Sequence, residues 1–252
     1  MKKRSDFKKL TVLILCFLGM ISCEESESDA QIVEAIDLEG FMSTTGNSNT
    51  TFTVEDPSKA THPIIHMSFG ADVSKEEASI KFDEAIAKYH SKNNNENKGP
   101  VFSGPTKPWY YRVITITGKY QDTGSNHCGT DGSVRLDVAF NTDAGEIVKH
   151  NMKLDNPGND REEGAWDYYY LGLNLPYDIN WIEVHAALLR LKGTDGWFVK
   201  EINLRSTEED AENYTVLTSR PQLWLDSSEG NLWDSFHTGD HETTNKGGRY
   251  DF

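Results

Sequence analysis

The residues most able to do chemistry lie in a short loop that is rich in oxygen donors. Asn159, Asp160 and Glu162 supply one amide and two carboxylates within four positions, and Asp155 and Asn156 stand just before them. Ca²⁺ binds six to eight hard oxygens from flexible loops, mixing carboxylate, amide and carbonyl donors. The spacing therefore predicts a Ca²⁺ site. The alternative is a solvated acidic turn.

A second group of candidate ligand contacts is aromatic. Trp166, Tyr168 and Tyr170 recur at every second position, and Trp181 begins a later apolar run. Successive strand side chains point to opposite faces, so some aromatic rings of this region must face away from the core. Such rings can stack on sugars or lie at a membrane interface. They can equally form cross-strand pairs within the sheet.

The elements that would position these residues show the two-residue period of β-strands. Val134, Leu136, Val138 and Phe140 alternate with mostly polar residues, which is typical of a half-buried strand. The run 111–116 is apolar at most positions and predicts a strand covered on both faces. Turn signals rich in glycine, aspartate and asparagine occur at 129–132, 143–145, 155–158 and 193–196. Short strands at such spacing predict an all-β fold, an antiparallel β-sandwich.

One helix and a short strand are predicted ahead of the sandwich. The strand covers 63–69, and Ser74 and Glu77 form a capping box that starts a helix over about 74–91. Apolar residues then recur every three to four positions and predict an amphipathic helix: Ala78, Phe82, Ala85, Ile86 and Tyr89. This stripe favours packing on the core, with docking of a partner as the alternative.

Residues 109–205 resemble the PLAT/LH2 domain, a β-sandwich found in lipoxygenases, lipases and some bacterial phospholipase toxins. Four blocks match in order, at 111–118, 129–136, 154–167 and 196–202, and the second contains the Gly-Thr-Asp strand start. The resemblance implies a module that binds membranes, lipids or proteins, often with Ca²⁺. The Gly-Thr-Asp turn also offers Asp131 as a further carboxylate for the predicted metal site.

Two residues depart from the family pattern. Ala186 stands where several members carry an aspartate that helps to hold Ca²⁺, which shifts the predicted site to the loop at 159–162. Arg161 replaces an apolar residue of that loop. An apolar tip can enter lipid, whereas Arg161 favours an anionic partner or a salt bridge.

The N-terminus predicts export and lipidation. Basic residues precede an uncharged apolar run at 10–21, too short for a permanent membrane span. The sequence Met20-Ile21-Ser22-Cys23 resembles the lipobox of bacterial lipoproteins, with Met20 in place of the usual leucine. Residues 1–22 are predicted to be the signal, and Cys23 the acylated residue. The expected location is the cell envelope, as an outer-membrane lipoprotein with surface exposure.

Beyond the signal, the chain divides into an acidic and polar tether at 23–60, a small helical segment at 61–100, and the sandwich with its C-terminal extension at 101–252. Cys16 leaves with the signal, and acylation occupies Cys23. Cys128 therefore has no cysteine partner, and is expected to be buried or reactive.

Composition and motifs narrow the functional class. A formal net charge of −15 argues against binding to nucleic acid. Nucleophile-elbow, zincin and phosphate-loop motifs are absent, so an enzyme is not expected. The sequence predicts a surface-displayed, Ca²⁺-responsive binding module for a lipid or protein, anchored in the membrane by its lipid. The alternatives are a carbohydrate-binding sandwich with a glycan ligand, and a structural accessory of an outer-membrane assembly.

Overall fold

The computed structural model describes residues 62–95, 106–154, 161–206, 212–226 and 231–252. All of the described residues belong to one compact unit. The predicted signal, Cys23 and the tether lie outside the described residues. Among those described, no helix is long and apolar enough to cross a membrane.

The described chain is mostly β-structure, with twelve strands and two helices. The strands are β1 (Ile65–Phe69), β2 (Thr106–Thr117), β3 (Ser133–Thr142), β4 (Gly145–Lys153), β5 (Trp166–Pro176), β6 (Trp181–Lys192), β7 (Trp197–Arg205), β8 (Val216–Ser219), β9 (Leu223–Leu225), β10 (Trp233–His237), β11 (Thr243–Gly247) and β12 (Tyr250–Asp251). The helices are α1 (Lys75–Asn95) and the single turn α2 (Tyr120–Thr123), and a 3-10 turn spans Thr238–Asp240.

Two antiparallel sheets pack face to face. In the described part of the chain, the first has the order β1-β5-β2-β7-β8-β11, with β9 paired to β7. The second has the order β10-β6-β3-β4, with β12 paired to β6. Their facing side chains form the main core, in which Tyr111, Phe140 and Trp197 are among the large buried residues. The predicted all-β antiparallel sandwich is confirmed.

The helix covers the outer face of the first sheet, so the stripe at 78–89 has its partner within the chain. Ala78, Phe82 and Ile86 pack with Ile114 of β2 and Tyr168 of β5. The helix begins as predicted, since Ser74 Oγ accepts the Glu77 N–H at 3.1 Å, and it runs one turn beyond the predicted end. This packing explains why β2 is buried on both faces.

The strand preceding the helix is built into the same sheet. Residues Ile65–Phe69 pair antiparallel with Tyr170–Trp166 of β5. The segment predicted at 61–100 therefore contributes one strand and a covering layer to the sandwich. At the other end of the chain, β10 and β12 both pair with β6 and β11 pairs with β8, so the C-terminal extension also adds strands.

A buried charge cluster lies on the outward face of β3, where alternation predicts polar residues in contact with solvent. Asp137 is buried, Arg190 Nη2 donates to its Oδ1 at 2.9 Å, and His150 Nδ1 lies 4.0 Å from its Oδ2. The Asn151 N–H also donates to this carboxylate. Burial alone would raise the pKa of Asp137, but these three groups outweigh it and hold the pKa below its usual value.

Candidate functional site

Two copies of the tetrapeptide Gly-Thr-Asp-Gly, at 129–132 and 193–196, form turns that meet at one edge of the sandwich. Thr130 Oγ1 donates to the Asp195 carbonyl at 2.7 Å, and the Asp131 N–H donates to Asp195 Oδ2 at 2.9 Å. The Thr130 N–H bonds the Arg161 carbonyl at 3.3 Å. These bonds fix three turns relative to one another. We call this region, residues 126–132, 161–165 and 193–196, the loop edge.

The loop edge encloses a polar pocket of about 170 Å³. It is lined by Asn126, His127, Gly129, Thr130, Asp131, Glu162, Glu163 and Asp195. Two of the predicted metal ligands, Asp131 and Glu162, therefore line one pocket. Gly129 is required at its wall, because a Cβ there would lie 2.5 Å from the Arg161 carbonyl oxygen.

Two residues of this pocket, Asp195 and Glu163, were not predicted from the sequence. The signal for Asp195 was present in the repeated Gly-Thr-Asp-Gly motif, since two identical turns suggested equivalent positions in the fold. Glu163 adjoins a predicted ligand in sequence. Its Oε1 accepts the Tyr120 N–H at 2.8 Å, which ties α2 to the loop edge.

The described donors do not complete a metal site by themselves. Within the described ranges, no three carboxylate, histidine or cysteine side chains are grouped closely enough to hold an ion. One oxygen of Asp195 is already engaged by a backbone N–H. The other predicted ligands, Asp155, Asn156, Asn159 and Asp160, lie outside the described residues. Ca²⁺ binding therefore stays a prediction.

Arg161 lies inside the protein, which corrects its predicted role at a loop tip. Its side chain is 1% exposed, and its guanidinium donates to the Leu154 carbonyl at 3.3 Å and the Gly132 carbonyl at 3.4 Å. The guanidinium carbon lies 5.8 Å from the ring centroid of Trp197. Its backbone has φ = 54°, a conformation that is uncommon for residues other than glycine. The Arg161 side chain thus holds the neighbouring turns together through buried hydrogen bonds.

Two exposed aromatic side chains adjoin the loop edge. Tyr120, at the start of α2, is 52% exposed, and Trp224 of β9 is 40% exposed. A Cβ on Gly196 would lie 3.4 Å from Trp224 Cε3, which places the indole beside the 193–196 turn. Amphipathic rings of this kind are favoured where an apolar environment meets water.

The aromatic residues predicted as ligand contacts occupy other positions. Tyr168 and Tyr170 are buried beneath α1, where Tyr168 meets Phe82 at 5.2 Å between ring centroids. The prediction that these two tyrosines face a ligand is corrected, because the helix covers them. Burial raises the pKa of Tyr168 to about 12 and also raises that of Tyr170.

The two tryptophans of that set are more accessible. Trp166 is half-buried at the margin of the helix-facing cluster. Trp181 is half-buried on β6, with the Arg249 guanidinium 5.3 Å from its ring centroid. The four aromatic residues therefore do not form one common surface.

Cys128 is buried in the structure, and its thiol donates to the Ser125 carbonyl at 3.2 Å.

Comparison with known proteins gives no family assignment. No family model matches the chain, and no curated protein matches it. Two solved structures are partly similar, the alpha-toxin of Clostridium perfringens from an avian strain and the alpha-toxin of Clostridium absonum. The first is 20% identical with a TM-score of 0.32, and the second is 19% identical with a TM-score of 0.30.

The matches cover 57% and 60% of this chain, but only 35% and 36% of the toxins, so this chain spans about a third of their length. TM-scores this low do not place the chain in the toxins' fold family. The resemblance to the PLAT/LH2 domain therefore remains a prediction from the sequence blocks, and the fold itself is an antiparallel β-sandwich.

Proposed function

We propose that this chain is a non-enzymatic binding module, held in the cell envelope by a lipid on Cys23, whose loop edge binds Ca²⁺ and then a lipid or protein ligand. The observation that carries the proposal is the pocket shared by Asp131, Glu162, Glu163 and Asp195. A divalent cation bound there would meet hard carboxylate oxygens and offset their negative charge.

The ligand would meet the protein at the same edge. Tyr120 and Trp224 are exposed beside the acidic pocket, and aromatic rings of this kind suit a lipid headgroup layer or a protein surface. Without a cation, the negative charge of the pocket would repel an anionic membrane. Ca²⁺ would remove that repulsion, so its binding and ligand binding are expected to be coupled.

Calorimetric titration of Ca²⁺ into the chain from Glu24 to Phe252 tests the proposal. The double variant Asp131→Asn, Glu162→Gln removes two charges of the pocket and keeps side-chain size. The matched control is Asp178→Asn, Glu183→Gln, which removes two carboxylates from the β5–β6 turn and from β6. We expect binding in the wild type and the control, weakened at least tenfold in the pocket variant. Absence of binding at millimolar Ca²⁺ would overturn the metal assignment.

The anchor is tested separately with Cys23→Ser in cells. Lipidation should place the wild type in the membrane fraction, and the variant should be released into soluble fractions, because a stable anchor needs the acyl chains. Equal membrane retention of the variant would contradict lipidation at Cys23.

A further inference from the structure

A second pocket, separate from the loop edge, opens where β1 begins beside the edge of β5. Its volume is about 310 Å³, at the lower end of the range for small-molecule sites. It is lined by His62, Ile64, Tyr89, Pro108, Trp109, Tyr110, Lys149, Leu171, Gly172, Leu173 and Asn174. These residues come from the helix and from both sheets. We call it the β5-edge pocket.

Gly172 lies at the wall of the β5-edge pocket. It pairs across the strands with Tyr110 of β2, and a Cβ added to it would lie 3.2 Å from Ile64 Cδ1 and 3.6 Å from Tyr110 Cδ1. Any side chain at this position would therefore enter the pocket. Its φ is not in the left-handed region, so the backbone does not itself require glycine. The close approach of Ile64 and Tyr110 is what favours glycine here.

The aromatic wall of the β5-edge pocket is held in place before any ligand arrives. Tyr110 stacks on Tyr170 at 5.3 Å between centroids, with an interplanar angle of 12°, and meets the edge of His90 at 5.2 Å. Burial, followed by the neighbouring Tyr89 hydroxyl, raises the pKa of Tyr110, so the Tyr110 hydroxyl is a protonated donor near neutral pH. A rigid wall of this kind loses little entropy when a ligand binds.

A cation also lines the β5-edge pocket. Lys149 is only 6% exposed, in a protein whose formal net charge is −15. It precedes an irregularity in the pairing of β3 with β4, opposite Leu136–Val138, where Asn151 has φ = 52°. His150 and Asn151 turn to Asp137 there, while Lys149 reaches the pocket. Lys149 brings a positive charge to the pocket, and a charge-assisted hydrogen bond to an anionic group is stronger than a neutral one.

We infer that the β5-edge pocket binds a sugar ring that carries a carboxylate, either as a free uronic acid or as the end unit of an acidic polysaccharide. The volume suits one ring. The aromatic wall packs against the apolar C–H face of a pyranose, the phenol hydroxyls hydrogen-bond its hydroxyl groups, and Lys149 holds the carboxylate. This inference does not depend on the loop edge, because the two pockets have no lining residue in common.

Calorimetric titration of the chain from Glu24 to Phe252 with sodium galacturonate, at constant ionic strength, tests the inference. Galactose is the neutral comparison, and a galacturonate oligomer separates a polymer-end ligand from a free sugar. Gly172→Val fills the pocket without removing a functional group, and Lys149→Met removes the charge but keeps the stem. Lys153→Met, on the same strand but outside the pocket lining, is the matched control.

We expect galacturonate, as monomer or oligomer, to bind the wild type and Lys153→Met equally. Its affinity for Gly172→Val and for Lys149→Met should be lower by roughly tenfold or more. Galactose should bind at least roughly tenfold more weakly than galacturonate, because it lacks the charge. Circular dichroism and thermal melting establish that each variant is folded. Undiminished binding in folded Gly172→Val would overturn the site, and equal binding of galactose would overturn the acidic ligand. Failure of both monomer and oligomer to bind at millimolar concentration would overturn the inference as a whole.

Discussion

Replacing Phe82 with alanine tests whether α1 belongs to the folded core. The Phe82 ring is fully buried between the helix and Tyr168. Removing a buried phenylalanine ring costs about 3–5 kcal/mol, against a total stability of about 5–15 kcal/mol for most domains. In a domain of this size each kcal/mol lowers the melting temperature by about 2–4 °C, so a fall of about 6–20 °C is expected.

The assay is equilibrium unfolding in urea, followed by circular dichroism and by tryptophan fluorescence. Ile80→Ala is the matched control, because Ile80 lies on the same helix and is 59% exposed. That control should change the free energy of unfolding by only about 0.5 kcal/mol. If Phe82→Ala destabilises the protein no more than Ile80→Ala does, α1 does not pack on the first sheet in solution.

Three further predictions concern buried polar groups. Asp137→Asn should lower the free energy of unfolding by about 3–5 kcal/mol, because Arg190 loses its buried partner. Because the pKa of Asp137 is lowered in the folded state, its carboxylate stabilises the wild type above the unfolded carboxyl pKa of about 3.9. This stabilisation is lost as the pH falls toward the folded pKa. Urea unfolding across pH 2–6 should therefore show a smaller loss of stability in acid for the variant than for the wild type. Cys128 should resist a thiol reagent in the native protein and react once urea is added. Trp197→Phe should cost about 1–3 kcal/mol in the same unfolding assay, since Thr117 Oγ1 loses the indole N–H that lies 2.9 Å away.

A specific outcome would contradict each of these three predictions. An Asp137→Asn variant with wild-type stability and an unchanged acid profile would mean that the charge cluster forms equally well without the carboxylate. Rapid modification of native Cys128 would place the thiol at an accessible position. A Trp197→Phe variant as stable as the wild type would mean that the indole hydrogen bond contributes nothing net.

The strands of the sandwich could be predicted from local sequence because each core face repeats every second residue. Val134, Leu136 and Phe140 show this directly, and all three are buried. The same rule misplaces Asp137, which is covered by His150 of the neighbouring strand β4 and by Arg190 of β6, far away in sequence. Alternation indicates which residues share a face, but it does not indicate what lies against that face.

The same limit explains the corrected aromatic contacts. Tyr168 and Tyr170 point away from the main core, as the alternation predicts, yet α1 covers that face. The apolar stripe containing Phe82 and the outward tyrosines were each visible in the sequence. Only the structure pairs them. Polar strands such as β11, with the sequence Thr-Thr-Asn-Lys-Gly, carry no apolar period and were not predicted.

The candidate sites were predictable only in part. Asp131 and Glu162 were identified from their chemistry, and the structure brings both to the 170 Å³ pocket of the loop edge. Asp195 reaches the same pocket through strand pairing between distant segments. The β5-edge pocket had no sequence signal, because its lining residues come from segments that are distant in sequence, such as Tyr89, Lys149 and Gly172.

Hydrogen exchange measured with and without 1 mM Ca²⁺ tests whether the loop edge binds Ca²⁺, since it reports binding and its location together. We expect slower exchange in the presence of Ca²⁺ at 126–132, 161–165 and 193–196, and unchanged exchange in α1 and in the β5–β6 turn. Exchange that is the same at the loop edge in both conditions, or protection confined to other segments, would contradict a Ca²⁺-responsive binding module centred on this edge.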